Sequence, residues 1–203
     1  TRCIVLDSTA SGTGKKVENA IIDVCKPKIE KFKLKGIKPT LRAMVIGVPN
    51  CGKSTLINNL CGKAKTVTGN KPGVTKGAQW IRLNKQVELL DTPGILWPKF
   101  EDQAVGLKLA MLGSLNDEIL NIDELSMELV KLLDEHFPEV ISERYQIEKQ
   151  EEPLKVLEEI ARVRACLLKG NELDISKAAN ILLDHFRSGK LGKLTIEFPQ
   201  VSA

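Results

Sequence analysis

GVPNCGKS, residues 47–54, stands between an apolar run, LRAMVI (41–46), and the stretch STLINNLCG (54–62). The first reads as a strand. The second reads as a short helix with Leu56, Ile57 and Leu60 on one face and Gly62 at its end. Strand, GxxxxGKS and helix, in that order, are what a phosphate-binding loop requires. The glycines let the backbone curl until successive N–H groups point inward, and the helix behind aims its positive end at the same place. The grip then comprises Pro49, Asn50, Cys51, Gly52, Lys53, Ser54 and Thr55. Lys53 is expected to reach the terminal phosphates, Ser54 to bind Mg²⁺, and Thr55 to donate to an inner phosphate.

Two further stretches extend this reading. VELLDTPG (87–94) is an apolar strand ending in Asp91, then Thr92, Pro93 and Gly94. A carboxylate at the end of a neighbouring parallel strand can hold the Mg²⁺ shell. Gly94 can bring its N–H against a terminal phosphate, since no side chain intervenes. Alone, Thr-Pro-Gly is good turn chemistry. GNKPGVTKG (69–77) is a loop by composition. Its Thr75 could offer a hydroxyl to Mg²⁺ and an N–H to the third phosphate, with Thr68 a weaker candidate. Hydrolysis would release such a loop, which makes a switch. A phosphate loop does not name the base, so ATP remains open at this point.

GxPNxGKS, PGxT and DTPG resemble the G1, G2 and G3 motifs of translation-factor-related GTPases. The base-reading NKxD motif is absent downstream. NKPG (70–73) and NKQV (84–87) lack the final Asp and precede G3. Upstream, CIVLD (3–7) reads as a strand, and Thr9, Ala10 and Ser11 resemble G5, whose backbone N–H reads the guanine oxygen. Alone, this stretch would be a simple strand-to-helix turn. A helix follows over VENAIIDVCKPKIEKF, expected to be interrupted near Pro27. The order G5-G1-G2-G3 is that of a circular permutation, and the chain is expected to be an N-terminally truncated fragment lacking G4.

With GVPNCGKSTLIN, KPGVTKGAQW, LLDTPGILWPKFEDQAVGLKLA and the final KLGKLTIEFP, the chain resembles the ribosome biogenesis GTPase A family nearly end to end. The resemblance implies an α/β fold: a permuted P-loop GTPase domain, three-layered with a mostly parallel sheet, followed by a small all-helical domain. It implies domains at 1–100 and 101–203. It implies GTP as substrate, Mg²⁺ as cofactor, and a large-subunit precursor and its rRNA as partners. A monomer in the cytoplasm is expected, with the mitochondrial matrix as the alternative. Other readings stay open: a related permuted GTPase with another RNA target, an ATPase, or an RNA-binding scaffold with little turnover.

The helical part is legible independently. Apolar residues recur at helical spacing over 103–115, 122–136, 153–168 and 176–186, and LTIEF (194–198) alternates like a short strand. The stripes are most simply core. Charge changes sign by block. Residues 26–42 hold seven basic residues against Glu30 alone, 100–159 hold sixteen acids against five basic residues, and 160–193 hold seven basic residues against three acids. Blocks of this kind suggest faces with separate duties. Arg162, Arg164, Lys169, Lys177, Arg187 and Lys190 could neutralise RNA phosphates. Scarce aromatic residues favour backbone and shape contact over base stacking.

No apolar run approaches a membrane span, and five scattered cysteines with no CxxC pair suggest neither a disulfide framework nor a zinc site. Many GTPases place Gln after the DxxG glycine, where this chain has Ile95. An apolar side chain cannot orient water. In several GTPases an Asn at the position of Asn50 holds K⁺ against the phosphates, so Lys53, Thr75, Gly94 and Asn50 form the expected catalytic set, with a low intrinsic rate stimulated by particle and K⁺. Asn50 could instead only shape the loop. His136 and His185 fall in helices away from the loop and take no acid–base role. Trp80 and Trp97 are expected to pack.

Overall fold

The computed structural model describes residues 3–62, 77–96 and 99–198. Thr68, Thr75, the carbonyls of 69–75 and Trp97 lie outside the described residues. The chain folds as two compact units, Thr1–Pro98 and Lys99–Ala203.

In the first unit the described elements run α1 (Thr13–Lys33), β1 (Leu41–Val45), α2 (Lys53–Cys61), β2 (Gln79–Arg82) and β3 (Val87–Asp91). The strand order is β1-β3-β2, with β1 parallel and β2 antiparallel to β3. The register pairs Leu41 with Val87, Ala43 with Leu89 and Ile81 with Leu89, so these side chains share one face. Ile21, Ile22, Cys25 and Ile29 of α1 and Ile57 and Leu60 of α2 cover that face. The opposite face shows Arg42, Met44, Trp80 and Arg82 to solvent. Trp80 is 54% exposed rather than packed, and the Arg42 guanidinium lies 5.2 Å from its ring centroid.

The α/β class and the strand–loop–helix order match the sequence reading, and two details differ. The described strands form a mixed sheet, β1 parallel and β2 antiparallel to β3, with α1 and α2 on one face. Only residues 83–86 join β2 to β3, too few for a parallel crossover, and Asn84 Oδ1 caps the turn by accepting from Gln86 and Val87 N–H at 2.8 and 2.9 Å. Residues 3–7 form no ladder, and Val5 is 93% exposed. They lead instead into a turn in which Asp7 Oδ1 accepts from the Thr9 N–H and hydroxyl. Finally, α1 runs unbroken through Pro27. An interior proline costs about 3 kcal/mol. The apolar stripe from Ile21 to Ile29, held against the sheet on both sides of Pro27, outweighs that penalty.

The second unit is helical: α3 (Gln103–Met111), a 3-10 turn (Asp117–Ile119), α4 (Ile122–His136), α5 (Val140–Tyr145), α6 (Pro153–Val163) and α7 (Ile175–Arg187). Its helix starts are written locally. The side chains of Asp102, Asn121 and Asp174 accept from the first-turn N–H groups of Ala104, Glu124 and Lys177, and Pro153 opens α6. Leu129, Leu133, Leu157, Ile160 and Leu182 are fully buried at the centre. The 3-10 turn and α5 had no counterpart in the sequence reading. Nor is LTIEF a strand: Ile196 is buried, but among the described residues no strand pairs with it. No described helix is long and apolar enough to cross a membrane.

Candidate functional site

β1 delivers the loop. Past Val45 the chain turns through Asn50 (φ 57°) and Gly52 (φ 90°), and α2 begins at Lys53. Left-handed backbone suits glycine and is tolerated by asparagine, so the residue types match the curl. The loop is tight: a Cβ on Gly47 would meet Cys51 Sγ at 2.9 Å. Lys53 Nζ donates to the carbonyls of Gly47 (3.1 Å) and Val48 (2.8 Å), bridging the loop back to its own start.

β3 delivers Asp91, which is fully buried. The Ser54 hydroxyl lies 3.5 Å from Asp91 Oδ2, while Oδ1 has no hydrogen-bond partner among the described residues. Burial pushes the Asp91 carboxyl above the usual carboxylate range. The Lys53 charge and hydrogen bonds from Ser54, Thr92 and Gln79 pull it partly back. A buried carboxylate with an orphaned oxygen, beside a hydroxyl, suits a hard cation with oxygen ligands. Asp91 and Ser54 therefore fit Mg²⁺, which when bound would neutralise phosphate charge.

The segment after β3 is stitched to the loop. Thr92 Oγ1 donates to the Val45 carbonyl at 2.7 Å, and Ile95 N–H donates to the Gly47 carbonyl at 3.1 Å. Gly94 faces Pro49 so closely that a Cβ on it would stand 2.6 Å from the proline's N, Cα and Cγ. Ile95 itself is 60% exposed and offers no polar atom beyond its backbone.

Residues 8–11 come to the same helix from the other end of the chain. Asn59 of α2 donates from Nδ2 to the carbonyls of Ser8 (2.9 Å) and Ala10 (3.0 Å). Thr13 Oγ1 donates to the Asp7 carbonyl at 2.6 Å and fixes the start of α1. The structure thus brings Thr9, Ala10 and Ser11 alongside the helix that carries Lys53, Ser54 and Thr55. Sequence reasoning missed Asn59, Thr92 and Gln79. Asn59, a polar residue inside a short helix, was the available signal for the first. Gln79 pairs across the ladder with Asp91, and nothing in the sequence announced that ladder.

In the second unit the basic residues are not equivalent. Arg187 donates to both carboxylate oxygens of Asp117 (2.7 and 2.8 Å) and to the carbonyls of Ala110 and Met111, closing the C-terminus of α3. Arg162 pairs with Glu158 and Glu159. Arg164, Lys169, Lys177 and Lys190 are exposed.

A family model described as 50S ribosome-binding GTPase matches residues 42–166. The ribosome biogenesis GTPase A of Bacillus cereus is 43% identical over 199 residues, covering 97% of this chain and 67% of that protein. The protein of the same name from Thermotoga maritima is 36% identical over 159 residues, or 78% of this chain and 57% of the relative. Among solved structures, GNP-bound YlqF from T. maritima superposes with a TM-score of 0.53 at 31% identity, covering 86% of this chain and 65% of that one. YlqF in its GDP-bound form gives 0.55 at 30% identity, over 86% and 66%. This chain spans about two thirds of the length of the first two B. cereus and B. licheniformis relatives (67% and 64%).

Proposed function

The chain belongs to the ribosome biogenesis GTPase A family, and from that premise we propose that it binds and hydrolyses GTP as a timer in assembly of the large ribosomal subunit. The observation that carries the reading is the convergence of Lys53, Ser54, Asp91 and Gly94 on residues 47–54. Phosphoryl transfer asks little covalent chemistry of a protein; it asks for placement and for charge where negative charge develops. The loop's curled backbone and the N-terminus of α2 accept the phosphates. Lys53 exchanges its loop carbonyls for phosphate oxygens. Ser54 and Asp91, with Thr75 of the expected switch loop, would hold Mg²⁺, which would neutralise phosphate charge. The Gly94 N–H would meet the terminal phosphate, and Thr9–Ser11, held to α2 through Asn59, would act as G5 and read the guanine oxygen.

Ile95 supports a low intrinsic rate, since it cannot orient water as a glutamine would. Asn50 would hold K⁺, and that ion and the pre-ribosomal particle would supply the missing charge. Nucleotide state controls attachment to rRNA through the basic residues of the second unit, and the protein acts as a monomer in the cytoplasm.

The test is GTP turnover by the full-length protein with and without large-subunit precursor particles. Slow turnover accelerated by the particle is expected. Binding to the particle with no turnover under either condition would leave a nucleotide-holding RNA scaffold instead.

A further inference from the structure

The turn that precedes α1 is laid along α2. Ser8 Oγ stands 3.5 Å from where a Cβ on Gly52 would lie, and Leu60 comes within 3.8 Å of where one on Gly14 would lie. Between them, Asn59 donates to the Ser8 and Ala10 carbonyls at 2.9 and 3.0 Å. Gly52, Asn59 and Leu60 are spaced by about two helical turns, so they share one face of α2. Asn59 is half-buried. Carbonyl oxygens only accept, so both bonds require the amide nitrogen, and its two N–H groups are spent on them. A helix side chain leans toward the N-terminus, so this amide reaches back toward the end of α2 that carries Lys53 and Ser54.

These bonds set a direction. The described peptide bonds are all trans, and in a trans peptide the C=O and the N–H that follows it point opposite ways in one plane. With the Ala10 carbonyl turned to Asn59, the Ser11 N–H points away from α2. The other two N–H groups of the turn are already taken. Thr9 donates to Asp7 Oδ1 at 2.8 Å, and Ala10 donates to the Asp7 carbonyl at 3.2 Å. Thr13 Oγ1 donates to that same carbonyl at 2.6 Å and locks it. Ser11 is exposed, and among the described residues no group accepts from its N–H.

We infer that Asn59 is a positioning residue for base recognition: it fixes the turn so that the Ser11 N–H, and not that of Thr9 or Ala10, donates to the 6-oxygen of guanine. The inference deepens the nucleotide-site reading above and rests on it. Asn59 acts on the base only through the Ala10–Ser11 peptide. It also ties the base-reading turn to the helix that begins at the phosphate loop, so one rigid element governs both ends of the nucleotide. A donor fixed in advance loses little freedom on binding, whereas a turn released from α2 has to be ordered by each nucleotide. Adenine carries an amino group where guanine carries the oxygen. It would set donor against donor and leave the Ser11 N–H unmet.

The experiment uses the full-length protein and compares GDP with 2-aminopurine riboside diphosphate, which keeps the sugar and phosphates but lacks the 6-oxygen. Calorimetry measures the preference for GDP in the unmutated protein, in Asn59→Leu and in Asn59→Asp. Both variants are expected to lose roughly tenfold of that preference, the net worth of one or two neutral hydrogen bonds, while binding the analogue within about twofold of the parent. A side chain that only stabilised the fold would weaken both nucleotides alike. That result, or an unchanged preference, would overturn the role of Asn59. NMR on the unmutated protein needs no variant to fold: GDP should move the Ser11 amide proton downfield, and the analogue should leave it in place. A downfield shift at Thr9 or Ala10 instead would overturn the choice of donor. Equal affinity of the unmutated protein for the two nucleotides would overturn the base-reading role of the turn itself, and the inference with it.

Discussion

Gly94 stands against Pro49 with no room for one more carbon: a Cβ would lie 2.6 Å from three atoms of the proline, two of them backbone. The segment after β3 and the phosphate loop therefore meet main chain to main chain. Gly94→Ala has to push the two apart. The expected cost is about 1–3 kcal/mol of stability, read as a lower urea midpoint, together with weaker GTP binding. A variant as stable and as tightly binding as the parent would mean that the two loops separate freely.

Lys53→Ala deletes a charge-assisted contact worth about 1.5–3 kcal/mol to a phosphate. Calorimetry on the full-length protein should show GTP affinity falling by roughly one to two decades. Unchanged affinity would remove Lys53 from the grip and leave it only the loop-bridging bonds to Gly47 and Val48.

Asp91 makes the unliganded fold pH-sensitive. Its folded-state pKa is raised, mainly by burial, so between the unfolded and folded values the folded chain binds more protons than the unfolded one. Its stabilising contribution is full below the unfolded pKa and is lost as pH rises through the folded one. Asp91→Asn should therefore stabilise the Mg²⁺-free protein at neutral pH by on the order of 1–3 kcal/mol. That advantage should shrink as the pH is lowered through the Asp91 titration. With Mg²⁺ and GTP the order should reverse. Urea unfolding at several pH values, with and without Mg²⁺-GTP, distinguishes these outcomes; a variant less stable than the parent at neutral pH without Mg²⁺ would contradict them.

Asn50, at φ 57°, sits in the turn of the phosphate loop. Hydrolysis is expected to run faster in K⁺ than in Na⁺ at equal ionic strength, because the smaller Na⁺ fits the same oxygens poorly. Asn50→Ala should erase the difference and keep the Mg²⁺ requirement. Equal rates in both salts would return Asn50 to a loop-shaping role.

Arg187→Ala should act on folding rather than on RNA. It removes a two-pronged pair with Asp117 and two bonds to the end of α3, worth about 2 kcal/mol. Thermal unfolding should register the loss. The salt dependence of RNA binding should not change.

The phosphate loop and the helix behind it are legible in the chain because their information is local. Gly52 permits the left-handed turn, Lys53 and Ser54 follow on the helix that the turn begins, and the apolar spacing declares its buried face. The starts of α3, α4 and α7 are legible for the same reason, each carried by a capping side chain within three residues of the N–H whose bond it accepts. Pro27 shows where that reasoning ends: a local helix breaker sits inside an unbroken helix because packing against the sheet on both sides outweighs it. The apolar run at 3–7 and the alternation at 194–198 look strand-like, yet a strand needs a neighbour to bond with, and the described residues provide none. Arg162 and Arg187 look like free cations in the sequence and are taken up by Glu158, Glu159 and Asp117. By itself the sequence determined the strand, glycine-framed loop and helix over 41–61 and the helical character of the second half. Only the tertiary structure decided that Asn59 reaches residues 8–11, that Gly94 closes on Pro49, that Gln79 faces Asp91 and that Arg164 lies over Tyr145. Each of those depends on a hydrogen bond or a contact between residues far apart in the chain, and short-range periodicity carries no record of the distant partner.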